Sequence, residues 1–446
     1  MKAEIRKWTP TKFIAAGFLV IILTGALLLT LPIASRSGKA MPFLDALFTA
    51  TTSTCVTGLV LHDVYTTWTL FGQIVILLLI QTGGIGFMTL AVAALTLMKK
   101  KIGLSQRLTM QESVGAPQVG GIVRLTKFIL LGTLLVETAG TVALSFVYCP
   151  LLGFFKGVYF SVFHAVSAFC NAGIDLMGCF EPGSSLVTLQ SNVIVNVTIM
   201  ALIVIGGLGF FVWKDVVQAR FRWRKLALHS KIVLTTTVLL IVGGFLTILL
   251  LEYNGGAMEG MTPGEKILAS LFQSVTPRTA GFNTVDLTAL RGATQFFITG
   301  LMLIGGSPGS TAGGLKTTAL AVLFLSILSV FKKRKSVEAF KHRVEDDALR
   351  HASCIMMVLL LLVFASTVAI SAIDGIGVKE ALFEVVSAIA TVGLSLGVTA
   401  ELSAASHIIL ILLMYIGRVG GITILVAFGS RRITSASQWP AGKITI

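Results

Sequence analysis

Charge is what this sequence has least of. Asp, Glu, Lys and Arg make up 12% of its 446 residues, against about 25% in soluble domains. With 55% hydrophobic residues, this excludes a soluble globular protein. No polar stretch is long enough for a separate soluble domain, which overrides the prior that length alone sets on domain number. Five cysteines (Cys55, Cys149, Cys170, Cys179 and Cys354) are an odd number with no metal-ligand spacing, so neither a disulfide framework nor zinc is expected. The six histidines are scattered, and His62 and His164 read as structural or solvated. The apolar segments contain no paired carboxylates, HExxH or Ser/His/Asp set, so the chain is not read as an enzyme. No covalent cofactor is expected.

What it has is apolar length. A helix needs about 20 apolar residues to span the hydrocarbon. Eight segments qualify: 12–33, 70–98, 126–148, 189–213, 231–252, 294–330, 352–373 and 405–429. The first is read as a retained span, not a cleaved signal, because no small-residue cleavage site follows it. Between the members of each pair lies a stretch too short to span, near 43–54, 157–169, 265–276 and 378–389. These fit re-entrant half-helices.

The net charge of +15 invites a nucleic-acid reading, but the placement of the bases argues against it. Of 35 Lys and Arg, four precede the first span, six lie in 99–127, six in 214–231, seven in 332–350 and three after residue 430. These are the termini and every second loop, so they share one side. The positive-inside bias makes that side cytoplasmic and puts the half-helices outside. Contact with anionic membrane lipids is a further use of these loops.

Four segments look alike and each ends on glycine: FTATTSTCVTG (Phe48–Gly58), FHAVSAFCNAG (Phe163–Gly173), LFQSVTPRTAG (Leu271–Gly281) and FEVVSAIATVG (Phe383–Gly393). The intervals from Gly58 to Gly173, to Gly281 and to Gly393 are 115, 108 and 112 residues. A near-constant period means one structural unit used four times. The expected fold is an all-α integral membrane protein. It has four helix–pore-loop–helix repeats around one central pore, at 1–115, 116–228, 229–345 and 346–446. Its tetrads are Cys55-Val56-Thr57-Gly58, Cys170-Asn171-Ala172-Gly173, Arg278-Thr279-Ala280-Gly281 and Ala390-Thr391-Val392-Gly393. Backbone carbonyls from four such loops replace a cation's hydration shell, and the half-helix carboxyl ends favour a cation at the centre. A carbonyl ring suits a monovalent ion better than calcium or magnesium. Asp45, Glu384, Asp175 and Asp286 lie nearby; the alternatives are attraction of cations to the outer mouth and, favoured here, solvated faces. Arg278 beside a cation filter needs to be turned away or paired, and reads as an anchor to backbone or to an acid.

Each second helix carries a glycine pair: Gly83-Gly84, Gly206-Gly207, Gly305-Gly306 and Gly420-Gly421. The first two read as close helix packing. The third opens the run Gly305-Gly306-Ser307-Pro308-Gly309-Ser310-Thr311-Ala312-Gly313-Gly314-Leu315-Lys316-Thr317, with five glycines and one proline in its first ten residues. No stable helix forms there, so the helix breaks at mid-membrane. A phosphate loop needs glycine directly before Lys-Thr, and Leu315 intervenes. The run reads as a gate, with Ser307, Ser310 and Thr311 in the path. Lys316 and Arg418 are cations at membrane depth and functional suspects by default. Lys316 either acts at the break or snorkels to the cytoplasmic interface. For Arg418 the plain reading is an internal salt bridge, with Glu137 as the candidate partner.

These repeats, tetrads and broken helix resemble, over almost the whole chain, the Ktr/Trk/HKT superfamily of potassium transporters, closest to the membrane subunit of bacterial Ktr systems. The resemblance implies potassium uptake, with one filter glycine per repeat and all four present here. In the sodium-selective plant branch the first glycine is serine; Gly58 is retained in this chain. It departs from true potassium channels in having no TVGYG run, so some sodium leakage is expected. The resemblance further implies sodium assistance, Arg418 as a barrier that anchors the gate loop, and a homodimer with one pore per chain. It also implies a cytosolic RCK-type ring (KtrA-like) that binds ATP or ADP. Lys332–Arg350 is the expected coupling segment and Gln438–Ile446 a candidate dimer contact. The implied location is the bacterial inner membrane, both termini cytoplasmic. The competing reading is a secondary transporter moving another solute by alternating access.

Overall fold

In a computed structural model, the described residues are 10–86, 89, 121–334 and 336–420. The basic stretch 99–120, Lys335, Gly421, the far ends of the expected spans 70–98 and 405–429, and the tail Gln438–Ile446 lie outside them.

The described chain is almost wholly helical. The helices used below are α1 (Pro10–Thr30), α2 (Phe43–Cys55), α3 (Leu70–Ile85), α4 (Ile122–Leu152), α5 (Phe154–Cys170), α6 (Val193–Leu208), α7 (Phe210–Gln218), α8 (Leu228–Glu252), α9 (Pro263–Val275), α10 (Gly292–Leu303), α11 (Thr317–Phe331), α12 (Asp346–Asp374), α13 (Val378–Ile389) and α14 (Ala404–Val419). Among the described residues four helices are long and apolar enough to cross a membrane unaided: α4, α8, α12 and α1 from Lys12 onward. The pair α6–α7 makes a fifth if taken as one span bent by 91°. The other expected spans appear as the shorter apolar helices α3, α10, α11 and α14.

Local chemistry explains these starts and stops. Side chains of Thr69, Asn192 and Ser403 accept hydrogen bonds from Gly72, Val195 and Ser406 amides, capping α3, α6 and α14. The same three helices end at Gly86, Gly209 and Gly420, with φ of 85°, 93° and 95°. That region is open to glycine and costly for other residues. The bend of α6–α7 at Gly209 corrects the expectation of a continuous span over 189–213.

The packing is cyclic. Each long helix lies along the short helix that follows it: α1 on α2, α4 on α5, α8 on α9 and α12 on α13. Each short helix is also met by the helix that follows the preceding unit's short helix: α3 on α5, α6 on α9, α10 on α13 and α14 back on α2. The short helices plant Phe48, Phe163, Phe272 and Phe383 in the core, each at most 2% exposed. Truncating a buried phenylalanine costs about 3–5 kcal/mol in soluble proteins.

Between α11 and α12, β1 (Glu338–Ala339) pairs antiparallel with β2 (His342–Arg343). Phe340 and Lys341 have φ of 48° and 64°, which matches the twist a two-residue hairpin turn requires. The Phe340 ring lies edge-on to Trp223, 6.2 Å away, and so touches the segment after α7.

Candidate functional site

Every tetrad follows the carboxyl end of a short helix, and its second residue takes the same left-handed conformation. Val56, Asn171, Thr279 and Thr391 have φ of 57°, 62°, 68° and 53°. Gly58, Gly173, Gly281 and Gly393 two residues on have φ of 99°, 63°, 83° and 90°. β-branched residues resist this region, at about 1–3 kcal/mol each, so the surroundings hold them there.

The four glycines touch one another in order. A Cβ added to Gly58 would lie 2.5 Å from the Ala172 carbonyl oxygen, one on Gly173 2.5 Å from Ala280 O, and one on Gly281 2.6 Å from Val392 O. A Cβ on Gly393 would run into Thr57 O. The contacted carbonyl is always the one before the neighbouring glycine, and the fourth contact returns to the first loop. All four glycines line one cavity of about 310 Å³, together with Asp63 and Asp175.

Hydroxyls on the short helices hold the loops. Thr52 and Ser387 accept the Gly58 and Gly393 amides at 3.0 Å each. Ser167 and Thr276 donate to the Ile174 and Phe282 carbonyls at 2.6 and 2.5 Å. The third loop is one residue shorter: Thr276 precedes its glycine by five positions, and the other three hydroxyls precede theirs by six. Thr57 and Thr391 hydroxyls are buried with no protein partner.

Several sequence expectations change here. Arg278 is buried, and Nη2 donates to the Thr237 hydroxyl at 3.3 Å, so its partner is neither backbone nor an acid. Glu384 is fully buried behind the fourth loop, not on a solvated face. Asp175 is half-buried, with its carboxylate accepting from the Met177 amide at 2.8 Å. Burial pushes the Asp175 carboxyl up to about 6 despite that bond, and the nearby Asp63 carboxylate adds to the rise. Asp45 pairs with His62 at 3.0 Å, and Asp286 accepts from the exposed Thr288 amide.

The run from Gly305 to Lys316 separates α10 from α11. Its ends are tied by Gly305 N to Leu315 O at 2.9 Å and Thr317 N to Gly306 O at 3.1 Å. Ser307 and Thr317 hydroxyls meet at 3.1 Å, and Ser310 donates to Ser307 O at 2.7 Å. Ser307 N and Thr311 N donate to Gly207 O and Gly206 O at 3.0 and 3.4 Å, and Phe210 N donates to Gly309 O at 2.8 Å. Pro308 and Gly309 thus fill the crook at Gly209, where a Cβ would come 2.7 Å from Pro308 O. The Thr311 hydroxyl reaches Phe169 O at 3.2 Å, and a Cβ on Gly313 would collide with the Thr391 hydroxyl. Ala312 and Gly313 carbonyls accept from Lys316 Nζ at 2.8 and 3.4 Å, so Lys316 folds back onto the loop and does not snorkel.

Arg418 is the second anchor. Nη1 donates to Thr311 O, and Nη2 to Gly83 O and to Gly84 O, the last at 3.1 Å. Glu137 instead accepts from Gln81 at 3.1 Å, which removes the salt-bridge alternative. Gly83 and Gly206 do pack closely, since a Cβ on either would strike Thr54 O or Phe169 O. In the fourth unit Gly417 makes this contact, against Ile389 O. Arg418 therefore stands where Gly84 and Gly207 stand in units one and two. Sequence reasoning missed Gly209 and Gly417; the spacing of Gly84-Ile85-Gly86 and Gly207-Leu208-Gly209 held the signal.

The sequence model of the TrkH family, described as a cation transport protein, matches residues 2–436. The chain is 42% identical over 430 residues to the potassium/sodium uptake protein NtpJ of Enterococcus hirae, covering 95% of this chain and 94% of that one. It is 38% identical over 447 residues to the Ktr system potassium uptake protein B of Bacillus subtilis, covering 99% and 98%. The crystal structure of the potassium transporter TrkH from Vibrio parahaemolyticus superposes with a TM-score of 0.73 at 18% identity, over 96% of this chain and 86% of that one. A helical fold with paired apolar helices, a family match over nearly the whole length and close relatives that carry potassium together place this chain in the TrkH/Ktr family of cation transporters.

Proposed function

We propose that the chain takes up potassium across the plasma membrane through a channel-like pore. Four helix–pore-loop–helix units, at 1–115, 116–228, 229–345 and 346–446, surround it. α2, α5, α9 and α13 are the half-helices, and the tetrads ending at Gly58, Gly173, Gly281 and Gly393 form the filter. The reading rests on one observation: the four glycines contact each other's preceding carbonyls in a closed cycle. Carbonyls so placed coordinate a dehydrated monovalent cation, and the half-helix ends add negative potential.

The Gly305–Lys316 loop is the gate. It is supported on three sides, by Gly206–Gly207, by Arg418 and by its own ends. Arg418 both ties the loop and raises the barrier to cations while the loop is folded in. α11 leads from this loop to the β1–β2 hairpin within Lys332–Arg350. A cytosolic RCK-type ring, binding ATP or ADP, acts on the gate through that hairpin in a homodimer. Sodium assists the flux, in keeping with the name of the Enterococcus relative. Both termini are cytoplasmic.

Potassium flux into proteoliposomes tests the reading, comparing the wild type with Gly281→Ser and with a deletion of 307–313. The expected outcome is loss of potassium preference in the first and raised flux in the second. Flux indifferent to both changes overturns the pore reading. A silent wild type is repeated with the cytosolic ring added.

A further inference from the structure

The residue after each buried phenylalanine of the half-helices is polar: Thr49, His164, Gln273 and Glu384. In units two and four this side chain reaches past the filter to its outer strand. His164 is fully buried; its Nδ1 lies 2.8 Å from Phe160 O, and its Nε2 accepts from the Leu176 amide at 3.3 Å. Glu384 is equally buried, and its Oε1 accepts from the Leu396 amide at 3.3 Å. Leu176 and Leu396 each stand three positions beyond the filter glycine. Two chemically different side chains thus bond the same backbone amide at the same register.

Units one and three lack this bond. The Thr49 hydroxyl donates to Asp45 O in its own helix at 2.9 Å. Gln273 is fully buried, and neither side-chain polar atom has a protein partner. The glycine contacts run in the order one, two, three, four, so the two bonded units face each other across the ring. Glu384 is the more firmly held, since Ser395 and Thr399 hydroxyls also donate to its carboxylate, the latter at 2.8 Å.

We propose that His164 and Glu384 are positioning residues for ion discrimination. They fix the outer strands of filter loops two and four, so that this diagonal sets the carbonyl spacing a potassium ion meets. A carbonyl ring discriminates between cations by its geometry and stiffness. Removing the acceptor leaves a buried amide unpaired, which displaces the strand. This inference rests on the filter reading above.

The test is the ratio of potassium to sodium flux in proteoliposomes of the full chain, with melting temperature as the check on folding. His164→Leu and Glu384→Leu are expected to lower the ratio about five- to tenfold. His164→Gln and Glu384→Gln keep an acceptor within reach of the amide and are expected to hold the ratio within about twofold. Thr49→Val, at the matching position with no such bond, is expected to leave it unchanged. Should a leucine variant fail to fold, His164→Asn and Glu384→Asp decide, because they stay polar but fall short of the amide. Their expected loss is the same.

Gly281→Ser runs alongside. If it leaves the ratio unchanged, the filter reading itself fails. If it lowers the ratio while folded His164 and Glu384 variants keep theirs, this inference alone is overturned. It is also overturned if the glutamine variants lose discrimination as fully as the leucine ones.

Discussion

The four tetrads and the glycines at which the second helices end or break are neighbours in space, yet they relate differently to the repeat. The tetrads are alike in backbone and unlike in side chain. Cys-Val-Thr-Gly and Arg-Thr-Ala-Gly share the left-handed turn and the glycine contact and little else. The breaks are unlike in both. Units one, two and four stop at a single glycine, whereas unit three inserts a loop that lies against units two and four. A site built from carbonyls needs equivalence only in backbone. Among the described residues, the loop of unit three has its seats on units two and four, and unit one reaches it only through Arg418.

The largest effect expected from breaking this division is at Arg418. Arg418→Ala removes donors from the Thr311, Gly83 and Gly84 carbonyls together. It should raise flux without the cytosolic partner by at least about tenfold, since hydrogen bonds to a charged group contribute about 1.5–3 kcal/mol each. Arg418→Lys should not restore closure, because one ammonium cannot span carbonyls on two elements. Unchanged flux in both would mean the loop is held by Gly206–Gly207 alone.

A smaller effect separates the two glycines of one seat. Gly206→Ala drives a methyl into Phe169 O, whereas at Gly207 the nearest atom is the Asn171 side-chain nitrogen at 3.5 Å, an ordinary contact. Gly206→Ala is expected to lower the melting temperature by several degrees, with about 1–3 kcal/mol lost to overpacking. Gly207→Ala should melt like the wild type. Equal behaviour would show that the seat yields to an added methyl group.

The smallest effect concerns the cavity at the four glycines, to which, among the described residues, units one and two contribute Asp63 and Asp175 and the other units no carboxylate. With its carboxyl raised to about 6, Asp175 is ionised above that pH and neutral below it. Uptake at low potassium should therefore fall by about twofold as the outside pH drops from 7 to 5, through loss of local cation attraction. Asp175→Asn should show the low rate throughout and no drop. A drop that persists in the variant would assign the titration to another group.

The positions of the helices were legible because burial in lipid demands apolar length, and the half-helices because they fall short of it. The tetrads were legible because glycine marks backbone that other residues resist. Register was less so. Aligned flush on their glycines, the four segments conceal that the third is one residue shorter, although Phe272 stands second in its segment and Phe48, Phe163 and Phe383 stand first. Gly417 carried no such mark: it stands alone, three residues before the fourth glycine pair, yet it is the residue that packs against Ile389 O. Glu384 looked solvated because a lone acid in a short helix gives no sign of the Ser395 and Thr399 hydroxyls that close over it.

By itself the sequence determined the membrane class, the repeat period, the tetrads and the broken third helix. Each follows from local rules: apolar length for spanning, glycine and proline for breaking, periodicity for repetition. Only the tertiary structure decided what the breaks touch. That Gly209 bends α6–α7 around Pro308 and Gly309, that Arg418 reaches carbonyls of both the loop and α3, and that Lys316 turns inward all depend on contacts between distant units. Such contacts carry no local signature, because backbone carbonyls accept hydrogen bonds whatever their side chain.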